Sequence, residues 1–526
     1  MNIAEILRTH AERTPDQLAL VDVFRNRARS TTFGELDQAA GRLAALLRQS
    51  GLGTGDTVLV FQRMSIELYV ALAAILRLGL TAMFVDPSAG RGYIDRCCRL
   101  RRPRALIASS RAHLLRLTTP ALRQIPFKFS IGPSVPGAVG IERATRFRYD
   151  DTIHACLPES PALASFTSGS TGEPKLALRT HGFLLAQHRA IATALAHEPG
   201  EVELIALPIF VLANLASRVT SVIPDADLRR PDAIDPAPLV SQISRHGVTR
   251  AGASPAVFER IVEYCEKSGV LLPSLKNVST GGGPVSPRLL DRLQRVAPQA
   301  RIMVVYGSTE AEPISTISLN EFDMGDRLAM KEGRGLLAGC PIPSIDLRIL
   351  RDRWGSRIAP ATTLEFERLC QPTGQPGEIV VSGAHVLAGY LDRKGDEDNT
   401  MCVDGTCWHR TGDAGYLDER GRLWLVGRCA ARVEDDRGAM YPLGVEQTAL
   451  QHKAIRRAAV VSVRGERVLA VELIDGSVKP DLAALLKSLA FASVDAVRIV
   501  KRLPVDDRHN AKVDYPALHA ILGQNK

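Results

Sequence analysis

The chain has 526 residues, of which 45% are hydrophobic and 23% charged, and a formal net charge of +9. It is longer than the roughly 250–300 residues at which single cores stop growing, so we expect more than one domain. The arginines are scattered and aromatic residues make up only 5%. This composition disfavours a nucleic-acid partner and favours a solvated surface with sites for anionic substrates.

The cysteines and the N-terminus indicate the compartment. Nine cysteines without a C-x-x-C pair favour a reduced interior. Cys402, Cys407 and His409 lie close in sequence, but no second pair completes a zinc set. Residues 1–5 lack the basic flank and apolar run of a signal peptide, and the most apolar stretch, 68–76, is far shorter than a ~20-residue membrane span. We therefore expect a soluble, cytoplasmic protein without a membrane span.

The first hundred residues alternate between strand and helix patterns. Hydrophobic periodicity predicts a short helix over 3–14 and an amphipathic helix over 32–49. A strand over 57–61, a helix over 65–78 and a strand over 81–85 follow. This alternation indicates mostly parallel, helix-covered sheets.

The alternation continues to about residue 307 and then changes. The predicted elements are a helix over 182–196, a strand over 205–210, a helix from 212, a helix over 236–246, a strand over 248–253, a helix over 255–266, and strands over 278–281 and 302–307. Later elements are a strand over 377–381, a hairpin through 421 that residues 408–413 precede, helices near 443–452 and 481–489, and strands near 458–463 and 468–473. We predict an α/β fold with a large N-terminal domain over 1–426 and a small, mobile α+β C-terminal domain over 427–526.

A loop rich in glycine and hydroxyl residues lies between two predicted strands. Its glycines allow backbone N–H groups to approach an anion, its four hydroxyls add donors, and Lys175 adds positive charge. The spacing is not that of a Walker A loop, and a strand rather than a helix follows. An ordinary flexible turn is the alternative to a polyphosphate site. The candidate residues are Thr167, Ser168, Gly169, Ser170, Thr171, Gly172 and Lys175.

Further candidates follow the ends of predicted strands, where ligands bind in open α/β sheets. They are Gly281, Gly282, Gly283, Tyr306, Gly307, Thr309, Glu310 and Asp413. The three consecutive glycines permit backbone contact with a ring edge, and Tyr306 offers a flat face for a purine. Thr309 can contact a phosphate, Glu310 can hold Mg²⁺, and Asp413 suits ribose hydroxyls. Each also has an ordinary structural role, such as a tight turn or a packed tyrosine.

Taken together, these motifs resemble those of the adenylate-forming superfamily, which includes acyl-CoA synthetases, luciferases and peptide-synthetase adenylation domains. The resemblance rests on TSGSTGEPK at 167–175, YGSTE at 306–310, GEI at 377–379, TGD at 411–413 and GR at 427–428. It covers nearly the whole chain.

The resemblance implies roles for particular residues. It implies ATP as substrate and Mg²⁺ as cofactor, with Glu310 as the metal ligand. Tyr306 would stack on adenine, Asp413 would bind the ribose with Arg428 nearby, and Lys512 would be the catalytic lysine. These roles make the large domain an adenylation domain for ATP and the acid, and the small domain a lid that carries Lys512.

Three positions depart from the superfamily pattern. Leu176 replaces the glycine that usually follows the signature lysine. Ala430 stands where the hinge usually has Asp or Lys, which bears on the rotation of the small domain. Phe210 and Val211 stand where relatives that activate amino acids carry an Asp for the substrate ammonium, which disfavours an amino-acid substrate.

Four segments resemble most the β-lactone synthetases of bacterial olefin biosynthesis. These segments are 254–255, 306–315, 408–425 and 508–512. The resemblance implies that a fatty or β-hydroxy fatty acid is activated to acyl-AMP, followed by acyl transfer or closure of a lactone by the substrate's own hydroxyl. The alternatives are an acyl-CoA ligase, with CoA or a carrier protein as acceptor, and a catalytically silent nucleotide-binding module. Intact Lys175, Glu310, Asp413 and Lys512 argue against the silent module.

Overall fold

A computed structural model describes residues 2–168, 173–390, 399–474, 480–505 and 513–524. The chain forms two compact units. The first comprises Met1–Ala226, Pro238–Gly252 and Ala384–Asp396, and the second comprises Asp227–Ala237, Ala253–Gly383 and Glu397–Lys526. The domain boundary predicted between residues 426 and 427 does not coincide with the bounds of these units, and it stays a prediction.

The first unit contains two groups of mainly parallel strands. Its strands are β1 (Leu18–Phe24), β2 (Arg27–Thr32), β3 (Thr57–Phe61), β4 (Thr81–Phe84), β5 (Ala105–Ser109), β6 (Phe127–Ile131), β7 (Val139–Gly140), β8 (Pro161–Ser168), β9 (Pro174–Thr180), β10 (Val202–Ile205), β11 (Thr220–Val222) and β12 (Arg250–Ala253). One group has the order β7-β6-β5-β3-β4-β8-β9 and the other β12-β10-β11-β1-β2. All neighbours are parallel except the hairpins β8–β9 and β1–β2.

Helices connect these strands, and local signals begin and end them. They are α1 (Ala4–Arg13), α2 (Phe33–Gln49), α3 (Ile66–Arg77), α4 (Arg91–Leu100), α5 (Pro120–Gln124), α6 (His181–Ala194), α7 (Pro208–Ser217) and α8 (Ala237–Arg245). Thr32 and Glu35 form a capping box at α2, and the Ser65 hydroxyl accepts the Leu68 N–H at α3. The connected strands β3, β4 and β5 are almost wholly buried, which accounts for their continuous apolar sequences.

The second unit is richer in antiparallel pairing. Its strands are β13 (Asn277–Gly281), β14 (Arg301–Tyr306), β15 (Ser315–Ser318), β16 (Leu336–Pro341), β17 (Asp346–Leu350), β18 (Gly377–Ser382), β19 (Thr400–Val403), β20 (Thr406–Leu417), β21 (Leu423–Arg428), β22 (Val433–Asp435), β23 (Gly438–Met440), β24 (Ile455–Val463), β25 (Glu466–Leu473) and β26 (Ala496–Val500). Its helices are α9 (Pro255–Ser268), α10 (Pro287–Val296), α11 (Met324–Lys331), α12 (Thr363–Leu369), α13 (Pro442–Ala449), α14 (Leu482–Ser488) and α15 (Tyr515–Gln524).

The strands of this unit that carry candidate site residues belong to one sheet. Parallel β13–β14 is followed by antiparallel neighbours in the order β15-β16-β21-β20-β18-β17, and β24, β25 and β26 form a separate C-terminal sheet. The parallel-rich sheets and the smaller C-terminal region confirm the predicted α/β fold class.

Predicted element positions are wrong in two stretches of the chain, 205–212 and 408–413. The strand predicted over 205–210 is β10, which ends at Ile205, and helix α7 begins at Pro208 rather than near 212. Proline at the first helical position favours this start, and a short apolar run does not distinguish strand from helix. Residues 408–413 do not precede a hairpin but lie within its first arm, β20.

Membrane-spanning helices and clusters of metal ligands are absent from the described ranges. No helix there has the length and hydropathy needed to cross a bilayer. Nor do three or more His, Cys, Asp or Glu side chains gather there as metal ligands would. Cys402 and Cys407 are cross-strand neighbours on β19 and β20.

Candidate active site

The turn after β14 is organised by Ser308. Its N–H donates to the Ala311 carbonyl at 2.7 Å, and its hydroxyl accepts the N–H groups of Glu310 at 3.3 Å and Ala311 at 3.2 Å. Thr309 and Glu310 are therefore presented at the tip of a tight turn directly after Tyr306. Sequence reasoning did not select Ser308, although serine side chains commonly bond to the backbone in turns.

Gly307 leaves room for a second carboxyl group in the same turn. A methyl group at Gly307 would lie 2.8 Å from the carboxyl carbon of Glu312, a contact that real side chains do not make. Burial raises the pKa of Glu312 to about 8. Sequence reasoning missed Glu312, because nothing in the motif indicates that its side chain folds back onto Gly307.

The T-G-D motif forms a bulge in β20. Val380 pairs with Arg410 and Glu378 pairs with Ala414, so residues 411–413 all lie opposite Ile379. The Thr411 hydroxyl donates to the Ile379 carbonyl at 2.9 Å and accepts the Asp413 N–H at 3.0 Å. Bulges redirect side chains and are common beside active sites. Here the bulge positions Asp413.

Asp413 joins two other predicted site residues. The Tyr306 hydroxyl donates to Asp413 Oδ2 at 2.9 Å, and Arg428 Nε lies 3.0 Å from Asp413 Oδ1. Burial, reinforced by the nearby Asp413 charge, raises the pKa of the Tyr306 phenol well above its usual value. The structure thus brings together an aromatic ring, a carboxylate and a guanidinium that the sequence selected separately.

The glycine turn lies beside this cluster. Gly281 pairs with Val305 on the parallel neighbour β14, and a methyl group at Gly281 would lie 2.2 Å from the Val305 carbonyl oxygen. Gly282 has a φ of +76°, a conformation that favours glycine. The end of β13 therefore approaches the end of β14, next to Tyr306, more closely than other residues would permit.

A buried ion pair lies directly beside the bulge in β20. The side chains of Arg410 and Glu378 are both 0% exposed, with Arg410 Nη2 2.7 Å from Glu378 Oε2. Arg410 also donates to the carbonyls of Ser356 at 2.8 Å and Arg353 at 3.1 Å. Burial raises the pKa of Glu378 despite the opposing effect of Arg410. The pair fixes the strand immediately before the T-G-D motif.

The signature loop belongs to the first unit. Thr167 pairs with Lys175 and Ser168 with Pro174 in the β8–β9 hairpin, which confirms the predicted strands on either side. Lys175 Nζ lies 5.6 Å from the centre of the Tyr390 ring. Five other predicted site residues lie outside the described residues. These are Gly169, Ser170, Thr171, Gly172 and Lys512.

The chain resembles known proteins over most of its length. The model of the AMP-binding enzyme family matches residues 7–391. The chain is 31% identical to an olefin β-lactone synthetase of Stenotrophomonas maltophilia, covering 97% of this chain and 96% of that protein. It is also 31% identical to an olefin β-lactone synthetase of Xanthomonas campestris, with 100% and 98% covered. The solved O-succinylbenzoate coenzyme A synthetase of Bacillus subtilis, in complex with AMP, shares the fold, with a TM-score of 0.76, 22% identity and coverage of 97% and 96%.

Proposed function

Because the chain belongs to the AMP-binding enzyme family, we propose that this adenylate-forming enzyme converts a β-hydroxy fatty acid into a β-lactone. First, a carboxylate oxygen attacks the α-phosphorus of ATP, the bond to the bridging oxygen breaks, and pyrophosphate leaves. Then the β-hydroxyl oxygen attacks the acyl carbon, the bond to AMP breaks, AMP leaves, and the hydroxyl proton passes to solvent. The observation that carries the proposal is the Tyr306–Asp413–Arg428 cluster, in a chain resembling β-lactone synthetases over its full length.

The cluster supports nucleotide binding. We assign the Tyr306 ring to adenine and the Asp413 carboxylate to the ribose hydroxyls, with Arg428 nearby. The Tyr306 hydroxyl and the Arg428 guanidinium hold the Asp413 carboxylate from two sides. The ribose would therefore meet an acceptor whose position is fixed in advance, which reduces the entropy lost on binding.

The phosphates need positive charge and hydrogen-bond donors. Attack at phosphorus depends mainly on positioning and charge neutralisation. We assign Lys512 to the α-phosphate and the attacking carboxylate. The loop donors proposed for the phosphates are Thr167, Ser168, Ser170, Thr171 and Lys175. Glu310, at the tip of the turn after β14, offers the hard oxygen donors that Mg²⁺ prefers, and the ion would neutralise phosphate charge when bound.

Apolar side chains in the first unit support an apolar acid. Helix α7 carries Phe210, Leu212 and Leu215, and Leu212 and Leu215 line an apolar cavity of about 80 Å³ beside α1, α3 and α6. Phe210 is buried where amino-acid-activating relatives carry an Asp. An ammonium group beside this side chain would lose hydration that an apolar chain does not need, so we propose an apolar acid.

The identity of the reaction products tests the proposal. The protein is incubated with ATP, Mg²⁺ and a β-hydroxy fatty acid, with and without CoA, and products are identified by mass spectrometry. We expect AMP and a product lighter than the acid by one water, formed without CoA. A fatty acid of equal length without the hydroxyl is the control, since it forms acyl-AMP but no lactone. Strict dependence on CoA would contradict lactone closure and support an acyl-CoA ligase.

A further inference from the structure

A short loop after β17 packs against the ribose-binding bulge. We call residues 352–356 the 352–356 loop. A methyl group at Gly412 would lie 2.8 Å from the indole ring of Trp354, and Gly412 has a φ of +67°. The Arg410 guanidinium lies 5.6 Å from the centre of the same ring. The residue before Asp413 is therefore held against the Trp354 ring.

The same loop binds the segment that follows the predicted hinge at Ala430. Asp352 Oδ2 accepts a hydrogen bond from the Tyr441 hydroxyl at 2.8 Å and lies 2.9 Å from Arg432 Nη1. The Asp352 side chain is only 5% exposed, so water replaces these partners poorly. The loop therefore contacts the nucleotide site on one side and the start of the C-terminal region on the other.

A single carboxylate links the two sides. Asp352 Oδ1 accepts the backbone N–H of Trp354 at 2.9 Å, while Oδ2 binds Tyr441. Trp354 and Tyr441 also pack against one small buried cluster, Ala414, Val426 and Cys429. Loss of the Tyr441 bond would leave a buried carboxylate short of a donor, which favours a shift of Asp352 and of the backbone at Trp354. Gly412 is in tight contact with the indole ring, so a shift of Trp354 would also displace the bulge.

We propose that the 352–356 loop couples docking of the segment after the hinge to nucleotide binding, with Trp354 as a positioning residue for Asp413. The inference rests on the nucleotide site proposed above and extends it to a residue that touches no substrate. Docking of Arg432 and Tyr441 on Asp352 keeps the bulge in its binding geometry. Such coupling is reciprocal, so bound nucleotide also stabilises the docked segment.

The Tyr441→Phe variant tests the coupling, because it removes one hydroxyl and changes no residue of the bulge itself. The Tyr515→Phe variant is a matched control, since its hydroxyl also donates to a carboxylate at 2.8 Å, that of Glu446. The dissociation constant of a non-hydrolysable acyl-sulfamoyl adenosine is measured by calorimetry on the full chain. We expect Tyr441→Phe to weaken binding roughly three- to tenfold, the effect of one hydrogen bond, and Tyr515→Phe to stay within about twofold.

A double-mutant cycle distinguishes coupling through Trp354 from a general structural effect. Trp354→Phe should weaken binding by itself, and Tyr441→Phe should then add less than about a twofold effect, since coupled residues are not additive. Additive effects, or an unchanged affinity in a folded Tyr441→Phe variant, would overturn the inference. Asp352→Asn provides a second variant with the same expectation. A parent protein that does not bind the probe would instead overturn the proposed function, and the coupling with it.

Discussion

Replacement of Asp413 by Asn gives a sharp prediction for the nucleotide site. The carboxylate is 17% exposed and is held by Arg428 and by the Tyr306 hydroxyl. Asn keeps the size but offers one acceptor oxygen, so a ribose hydroxyl loses a charge-assisted bond. Hydrogen bonds to charged groups contribute ~1.5–3 kcal/mol, and each ~1.4 kcal/mol is tenfold in affinity. We expect Asp413→Asn to weaken nucleotide binding by about 10- to 150-fold.

The assay is calorimetric titration of the parent and of two variants with the same acyl-sulfamoyl adenosine. Asp418→Asn is the matched control, because Asp418 lies on the same hairpin, is 18% exposed, and binds Arg422 and Trp424 instead. Its affinity should stay within about twofold of the parent. Binding by Asp413→Asn within about twofold of the parent, or an equal loss in Asp418→Asn, would refute the assignment of Asp413 to the ribose.

Three further changes have expected outcomes. Glu378→Gln should lower the free energy of unfolding in urea by ~3–5 kcal/mol, because it leaves the buried Arg410 charge unpaired. Adding Arg410→Met should restore part of the lost stability. A double variant no more stable than Glu378→Gln would argue against the unpaired charge as the cause. Burial raises the pKa of Glu446 from 4.5 to about 7, so the native state binds this proton more tightly than the unfolded state. Stability should therefore fall as pH rises between these values, and urea unfolding should show a flatter pH dependence in Glu446→Gln; an unchanged slope would contradict this. Lys512→Ala should slow acyl-AMP formation by roughly 10²–10³-fold in single-turnover assays, and an unchanged rate would exclude its assigned role.

Sequence patterns were sufficient where a local signal decides the structure. The alternation of strands and helices predicted the α/β class, and Ser65 began its helix as expected. Glycine and tyrosine at strand ends marked Gly281–Gly283 and Tyr306, since strand ends on parallel sheets adjoin binding sites. The register shows where one of them lies, because Gly281 pairs with Val305 on the neighbouring strand.

Contacts between distant residues could not be read in the same way. Tyr441 and Asp352 are 89 positions apart, and neither belongs to a recognised motif. The Arg410–Glu378 pair spans 32 positions and depends on the register of β18 and β20. The start of α7 at Pro208 was missed because a short apolar run fits a buried strand and a buried helix equally well. The residues that support the candidate site could therefore be identified only from the tertiary structure.

Acid-dependent exchange of pyrophosphate into ATP tests the central claim most directly. The full-length protein is incubated with ATP, Mg²⁺, labelled pyrophosphate and a panel of fatty and β-hydroxy fatty acids of increasing length. The account predicts exchange that requires an acid and is strongly reduced in Asp413→Asn and Lys512→Ala. Failure of every acid in the panel to support exchange by the parent protein would contradict the assignment of acyl-AMP formation to this chain.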